Sequence, residues 1–197
     1  MSPWFIAINK SFDRFEKIRV RARALVVFAV KGYRLKKVGV GCKIRGAHHI
    51  ALGTNVSIGD YCWIEAIYTY KGIKFKPRLW IGDNVALSDF VHISCAHDIN
   101  IGADCLIGSK VFIGDHNHGS THNEIEILSV APAKRALCDV MEITIGEKCW
   151  ICDGVVILAG TQLAPCSIIA ANSVVRLTVD RPALIAGAPA RVIRYFD

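Results

Sequence analysis

The chain has 197 residues, 52% of them hydrophobic, and a formal net charge of +7. This length fits one domain with an extension, and the apolar content suits a domain with a continuous dry interior. The positive charge is confined to residues 1–37, which hold ten Lys or Arg and two acidic residues, whereas 38–197 hold fourteen basic and fifteen acidic residues. Because these cations alternate with large aliphatic side chains, nucleic acid is not expected as a partner.

The first 37 residues are predicted to form a basic N-terminal extension of one or two helices. Its apolar stretch 24–30 is far shorter than the roughly 20 residues that a membrane-spanning helix needs. The stretch lacks a small-residue cleavage site, so we expect no secretory signal. Two roles remain open for the extension: it caps the end of the domain at 38–197, or it contacts an anionic membrane surface.

In the domain that follows, an aliphatic residue recurs at every sixth position and is usually followed by a small residue. These positions are Leu52, Ile58, Ile64, Ile81, Leu87, Ile93, Ile101, Ile107, Ile113, Ile145, Ile151, Ile157, Leu163, Ile169 and Val175. A fixed period of six residues predicts a parallel β-helix. A β-sandwich or barrel is the alternative, but it would not keep a strict six-residue phase through three uninterrupted blocks.

Each six-residue unit is predicted to be a short strand closed by a turn. A second apolar row, which includes Val56, Cys62 and Val85, lies two residues before the first, and residues two apart point to the same side of a strand. Turn-forming pairs such as Asp83-Asn84 and Asp153-Gly154 follow at the third and fourth positions, where we expect the aspartate to bond its own turn. Three units then make one coil of a triangular prism, and coils stack about 4.8 Å apart.

The eight cysteines are predicted to be free thiols. Cys62, Cys105 and Cys149 fall in the inward row, where cysteine acts as a small apolar filler. Cys149 and Cys152 have the spacing of a metal-binding pair, but strand alternation sends them to opposite sides of the wall, and no second pair supports zinc. Free thiols indicate a reducing compartment, so we expect a cytoplasmic protein.

The six-residue period breaks in two long gaps, 64–81 and 113–145, and a two-residue stretch intrudes between Ile93 and Ile101. The first gap contains the basic aromatic loop 68–77, and the second contains the long loop 119–142. Loops on a rigid scaffold commonly carry the chemistry of a protein.

His118 lies at the root of the long loop, at the outward sixth position of its unit. It is predicted to be a general base, because the ordinary pKa of an imidazole lets it take a proton at neutral pH. His116, beside Asp115 in the turn, is the second candidate. A backbone carbonyl, Asp115 or a group from a neighbouring copy would orient His118. His92 and His97 would suit zinc if a third histidine joined them, but no matching third ligand row is apparent.

Three segments carry a resemblance to a known family: 99–119, 143–151 and 187–194, which read INIGADCLIGSKVFIGDHNHG, ITIGEKCWI and GAPARVIR. With them the chain resembles the hexapeptide-repeat acyltransferases, specifically the sugar O-acetyltransferases of maltose, galactoside and nodulation-factor type. Within these it is most similar to O-acetyltransferases of bacterial lipopolysaccharide and capsule synthesis. The resemblance covers about residue 38 to the C-terminus. It implies a left-handed β-helix, a homotrimer with sites between neighbouring prisms, acetyl-CoA as acyl donor and no metal.

By position in those motifs, the resemblance implies that His118 is the general base. It would deprotonate a sugar hydroxyl, which then attacks the thioester of acetyl-CoA. Trp150 would border the thioester, and Arg191 and Arg194 would meet the adenosine phosphates, where cations have an electrostatic reason to lie. The other implied contacts are Asp153, Ala171 and Arg176 for the cofactor, and Ser88 and Asn117 for the sugar.

The chain departs from the family pattern along the expected CoA groove, at Cys152, at 159–164 and at Arg176. Its loop 119–142 is longer than in the small-sugar enzymes, which favours a larger or lipid-linked glycan as acceptor. We therefore predict an acetyl-CoA-dependent O-acetyltransferase that acts by direct transfer on a surface-polysaccharide precursor at the cytoplasmic membrane face. A zinc enzyme of carbonic anhydrase type and a non-catalytic β-helix scaffold are the alternatives.

Overall fold

A computed structural model describes residues 18–19, 21–27, 33–120 and 122–197. Residues 18–19 and 21–27 are helical, the latter forming α1, and Glu124–Ser129 form α2. Single 3-10 turns occur at Ala47–His49 and Pro132–Lys134. The strands are β1 (Lys37–Val38), β2 (Lys43–Arg45), β3 (Ile50–Leu52), β4 (Ser57–Ile58), β5 (Trp63–Ala66), β6 (Thr69–Tyr70), β7 (Ile73–Lys74), β8 (Arg78–Ile81), β9 (Ala86–Leu87), β10 (His92–Cys95), β11 (Asp98–Ile101), β12 (Leu106–Ile107), β13 (Phe112–Gly114), β14 (Asn117–His118), β15 (Leu137–Cys138), β16 (Ile143–Ile145), β17 (Trp150–Ile151), β18 (Val156–Leu158), β19 (Gln162–Leu163), β20 (Ile168–Ile169), β21 (Val174–Val175), β22 (Thr178–Val179), β23 (Ala183–Gly187) and β24 (Ala190–Tyr195).

Three sheets form the faces of a triangular prism. Face A has the order β1-β4-β9-β12-β17-β20-β23-β24, face B the order β2-β5-β10-β13-β18-β21, and face C the order β22-β19-β16-β11-β8-β3. The chain visits faces A, B and C in turn, and the paired strands are parallel up to β23, which pairs antiparallel with β24. Each coil therefore stacks on the one before it. The predicted left-handed parallel β-helix is confirmed.

The two aliphatic rows predicted from the sequence fill the interior of the prism. The first row is buried throughout, apart from Leu52, which is half-buried because its strand lies at the end of face C and has a neighbour on one side only. Cys62, Cys105 and Cys149 are buried among the aliphatic side chains, as predicted, whereas Cys152 is half-buried. All eight cysteines are free thiols.

Left-handed residues close the turns between faces, at the fourth position of the six-residue unit. Asn84, Lys148 and Gly154 have φ values of 57°, 58° and 69° there. Asparagine and glycine adopt this region readily, which is why these turn pairs could be recognised in the sequence.

The turn aspartates bind a neighbouring coil instead of their own turn, which corrects the sequence-based expectation. Oδ1 of Asp83 accepts a hydrogen bond from the backbone N–H of Thr54 at 2.6 Å. Oδ1 of Asp153 accepts one from the N–H of Ser109 at 2.7 Å. Because the two turns lie one above the other, each carboxylate stabilises the contact between successive coils.

All three interruptions of the period leave the prism at one corner, between faces B and C. There β5 is followed by the antiparallel hairpin β6–β7, β10 by residues 96–97, and β13 by residues 115–142. The long loop is partly ordered, since it contains α2 and its strand β14 pairs antiparallel with β15. Because β5, β10 and β13 are hydrogen-bonded neighbours in face B, the three segments emerge one beside another.

Near the N-terminus, α1 packs on the first coil of the prism. Nε of Arg23 donates to the carbonyl of Val38 at 3.0 Å, and Ala24 is buried, whereas Leu25 and Val26 are 69% and 62% exposed. The rest of the predicted basic extension, residues 1–17, 20 and 28–32, lies outside the described residues, and its two candidate roles remain predictions. No helix within the described ranges is long and apolar enough to cross a membrane.

Candidate active site

The B–C corner is built around the carboxylate of Asp115, whose side chain is fully buried. Its oxygens accept hydrogen bonds from the backbone N–H groups of Ala96 at 2.8 Å, His97 at 2.7 Å and Asp98 at 3.0 Å. Nδ1 of His116 lies 2.9 Å from its Oδ1. The two-residue intrusion seen in the sequence thus directs consecutive N–H groups at this carboxylate.

The hydrogen bonds of Asp115 together have a larger effect on its pKa than its burial has. Burial alone would raise the pKa of Asp115, but the bonds from His116 and from the N–H groups of Ala96 and His97 leave the pKa below its ordinary value. An ionised carboxylate only accepts hydrogen bonds, so the proton of a neutral His116 lies on Nδ1 and its Nε2 is the basic nitrogen. The side chain of His116 is only 6% exposed. Asp115 is therefore a buried partner of His116 and not a turn residue.

His118 is exposed at the same corner, but it does not lie on face B as its six-residue phase predicted. The chain leaves the coil at Asp115, and His118 pairs with Leu137 in the β14–β15 ribbon. Nδ1 of His118 lies 3.3 Å from Oη of Tyr70, and the two rings pack edge to face with centroids 5.5 Å apart. Of the orienting partners expected from the sequence, Asp115 is occupied by His116, and Tyr70 was not among those partners.

The two candidate bases lie close together at the corner. The ring centroids of His116 and His118 lie 6.3 Å apart. Asn117, between them, donates from Nδ2 to Oδ2 of Asp139 at 3.2 Å, which ties the predicted sugar contact to the long loop. Arg176 reaches the base of that loop, where its guanidinium lies 3.9 Å from the sulfur of Met141.

An aromatic row runs along the outer surface of face B, across the neighbouring strands β5, β10 and β13. The ring of His92 stacks on Trp63, with centroids 4.6 Å apart, and meets Phe112 edge to face at 5.3 Å. Burial lowers the pKa of His92, against a raising effect of Glu65. Nε1 of Trp63 and Nε2 of His92 are buried and have no hydrogen-bond partner among the described residues.

The histidine pair considered for zinc is separated in the structure. His92 is packed within the aromatic row, and His97 is exposed in the corner segment. The described part of the chain holds no group of three or more His, Cys, Asp or Glu side chains that could bind a metal ion.

The remaining residues implied for the cofactor lie on other sides of the prism, and so does Ser88, which was implied for the sugar. Trp150 points outward from face A, 49% exposed, and Ser88 directly follows a strand of that face. Arg191 and Arg194 lie on β24, at the edge of face A. In a triangular cross-section the B–C corner is opposite face A, so one protomer does not bring these residues to His118.

Two further implied cofactor residues lie in turns between faces A and B. Asp153 uses its carboxylate for the bond to Ser109 described above. Ala171 is exposed, one residue before the left-handed Asn172. The structure therefore brings together His116, His118, Asn117 and Asp115, with Arg176 at the base of the same loop, but leaves the other predicted cofactor residues apart from them.

Comparison with known proteins places the chain in a family, although no family model matches it. The chain is 35% identical over 158 residues to Escherichia coli WbbJ, a protein named for O-acetyl transfer in lipopolysaccharide biosynthesis, and the match covers 79% of this chain and 76% of WbbJ. It is 28% identical to the galactoside O-acetyltransferase of the same organism, over 70% of this chain and 63% of that protein. A mutant of AntD, an N-acyltransferase from Bacillus cereus crystallised with dTDP and coenzyme A, has a TM-score of 0.67 at 16% identity, covering 87% of this chain and 88% of that one.

The left-handed β-helix and the 35% identity with WbbJ together define an acyltransferase of the six-residue-repeat class. Given its identity with WbbJ over three quarters of that protein, the chain belongs to the hexapeptide-repeat sugar O-acetyltransferase family. It is an acyl-CoA-dependent O-acetyltransferase whose acyl donor is acetyl-CoA.

Proposed function

We propose that this enzyme acetylates a sugar hydroxyl of a bacterial surface-polysaccharide precursor by direct transfer from acetyl-CoA, with His118 as general base. The observation that carries the proposal is the exposed imidazole of His118 at the root of the corner loops. Its Nδ1 is engaged by Tyr70, which leaves Nε2 as the nitrogen that meets a hydroxyl. The likeness to WbbJ supports a lipopolysaccharide precursor as the acceptor.

In this mechanism, Nε2 of His118 accepts the proton of the sugar hydroxyl as the oxygen attacks the carbonyl carbon of the thioester. The tetrahedral intermediate then expels the CoA thiolate, which takes the proton from the imidazolium. The acetyl ester and free CoA are the products. Holding the hydroxyl and the thioester in line is the other contribution of the site.

His116 is the second candidate for the base. The observation that favours it is the buried carboxylate of Asp115 at 2.9 Å, which orients the ring. The two histidines differ in access: His118 is exposed, whereas the side chain of His116 is almost completely covered.

Single alanine variants distinguish the two bases. Release of CoA would be followed with acetyl-CoA and a panel of free sugars, sugar nucleotides and polyprenyl-linked glycans. His118→Ala is expected to lower kcat by about 10²–10⁴, the usual contribution of a general base. His122→Ala, an exposed histidine of the same loop, is the matched control and should keep wild-type kcat. Wild-type turnover by His118→Ala would refute its role, and loss of turnover in His116→Ala alone would transfer the role to His116.

We also propose that the enzyme is a homotrimer, in which face A of one protomer supplies the cofactor residues to the B–C corner of its neighbour. The opposite placement of Trp150 and His118 within one prism supports this arrangement. Light scattering should give three times the chain mass of 21.6 kDa. A monomer with full activity would contradict it.

A cytoplasmic location at the membrane face completes the proposal, because the acceptor glycan is expected to be lipid-linked. Leu25 and Val26 of α1 project into solvent, and the same helix carries Arg21 and Arg23. Binding to vesicles of anionic phospholipid, and not to neutral vesicles, is expected in co-sedimentation. A Leu25→Asp variant should bind less. Equal binding of both forms would leave α1 as a cap only.

A further inference from the structure

We propose that Tyr70 is a positioning residue that holds the ring of His118 with Nε2 free to accept a proton. This inference rests on the proposed function, because the orientation of His118 affects turnover only if His118 is the base. It assigns a role to the first interruption of the coil, the hairpin β6–β7.

The local sequence favours the hairpin β6–β7. Tyr70 pairs with Ile73, and the two residues between them, Lys71 and Gly72, have φ values of 48° and 78°. Positive φ at both central residues is the requirement of the tight turns that match the twist of a two-stranded ribbon. Tyr70 is therefore the last residue of a short rigid strand and not part of an irregular loop.

The hairpin is also attached to the long loop that carries His118. Nζ of Lys71 donates to the backbone carbonyl of Ala133, in the 3-10 turn of that loop. The backbone of His118 pairs with Leu137, which is buried. The backbone of His118 is thus held within the long loop, and its ring is contacted by the hairpin β6–β7.

The contact with Tyr70 suits the chemistry that a base must perform. Nε2 accepts a proton only when the ring proton lies on Nδ1, and the hydrogen bond made by one ring nitrogen selects the state of the other. In that tautomer, Oη of Tyr70, which lies 3.3 Å from Nδ1, is the acceptor for the Nδ1 proton. When the imidazolium forms during attack, the bond becomes charge-assisted and stronger. The edge-to-face packing of the rings, at 65°, opposes rotation of the imidazole.

Removal of the hydroxyl alone tests the role. Tyr70→Phe keeps the ring packing and is expected to lower kcat by about 10- to 100-fold, the range for loss of a hydrogen bond to a charged group, while KM for acetyl-CoA stays unchanged. Tyr68→Phe is the matched control: Tyr68 precedes the same hairpin and stacks on His49 with centroids 6.0 Å apart, so its kcat should be that of the wild type.

A spectroscopic readout separates positioning from general damage. Nitrogen chemical shifts of the His118 ring, measured without substrates, should show the proton on Nδ1 in the wild type and a shift toward Nε2 in Tyr70→Phe, with melting temperatures unchanged. Wild-type kcat in Tyr70→Phe, or a lowered kcat with an unchanged tautomer, would overturn the positioning role. Full activity of His118→Ala would instead overturn the proposed function, and the tautomer measurement would still decide whether Tyr70 orients the ring.

Discussion

Nδ1 of His116 lies 2.9 Å from Oδ1 of Asp115, and the same carboxylate accepts three hydrogen bonds from the backbone of residues 96–98. Residues 96–98 belong to the coil before Asp115, so the carboxylate joins two successive coils. One side chain therefore fixes both the local stacking of the prism and the basic nitrogen of His116.

Asp115→Asn is expected to destabilise the fold by about 3–5 kcal/mol, because an amide cannot accept all four donors and leaves buried N–H groups without partners. The free energy of unfolding in urea measures the loss. Asp139→Asn is the control, since its half-buried carboxylate accepts from the side chain of Asn117, and it should cost about 1 kcal/mol or less. Equal losses in both variants would contradict the structural role of Asp115.

The lowered pKa of Asp115 predicts a pH dependence of stability. A folded-state pKa below the unfolded value means that the ionised carboxylate stabilises the fold. That contribution is complete above the unfolded pKa of about 4 and is lost as the pH falls through the lowered folded value. The difference in unfolding free energy between wild type and Asp115→Asn should therefore shrink below about pH 4. A difference that does not change on acidification would refute this linkage.

Two exposed tryptophans on different faces test the predicted cofactor groove. Trp150 on face A and Trp80 on face C are 49% and 46% exposed. Trp150→Ala should raise KM for acetyl-CoA about tenfold or more, since a large aromatic contact with the bound donor is lost. Trp80→Ala should leave this KM unchanged. Similar KM values in the two variants would place the donor elsewhere.

Asp83 and Asp153 make equivalent bonds between coils, which allows the structural and cofactor roles of Asp153 to be separated. Alanine at either position should cost about 0.5–1.5 kcal/mol of unfolding free energy. Only Asp153→Ala is expected to raise KM for acetyl-CoA as well. If it lowers stability alone, the predicted cofactor contact of Asp153 is wrong.

The fold could be predicted almost completely, because two periods act together: alternation along a strand sets the inward rows, and the six-residue unit sets the corners. Leu52 departs from full burial only because the first coil has one neighbour. The partners of the turn aspartates could not be predicted, since the carboxylates of Asp83 and Asp153 bond across the stacking of coils and not within the sequence unit.

The site was predicted in part. His116 and His118 lie where the six-residue period is interrupted, and this position made them candidate catalytic residues. Tyr70 is 48 residues from His118, and nothing local to either residue indicates the contact. A signal was nevertheless present, because every interruption follows a strand of face B, and counting the units in threes would have placed all of them at one corner.

The strand pairing of face C continues without a break although loops leave the prism between its strands. Ile99 pairs with Leu79 on one side and with Ile143 on the other, in register, although residues 115–142 intervene. The long loop 119–142 is therefore expected to be exchangeable as a cassette without rebuilding the scaffold, provided that Asp115, whose carboxylate joins two coils, is kept. New acceptor preferences are expected to arise in such proteins by grafting of corner segments, while the stacked framework is inherited unchanged.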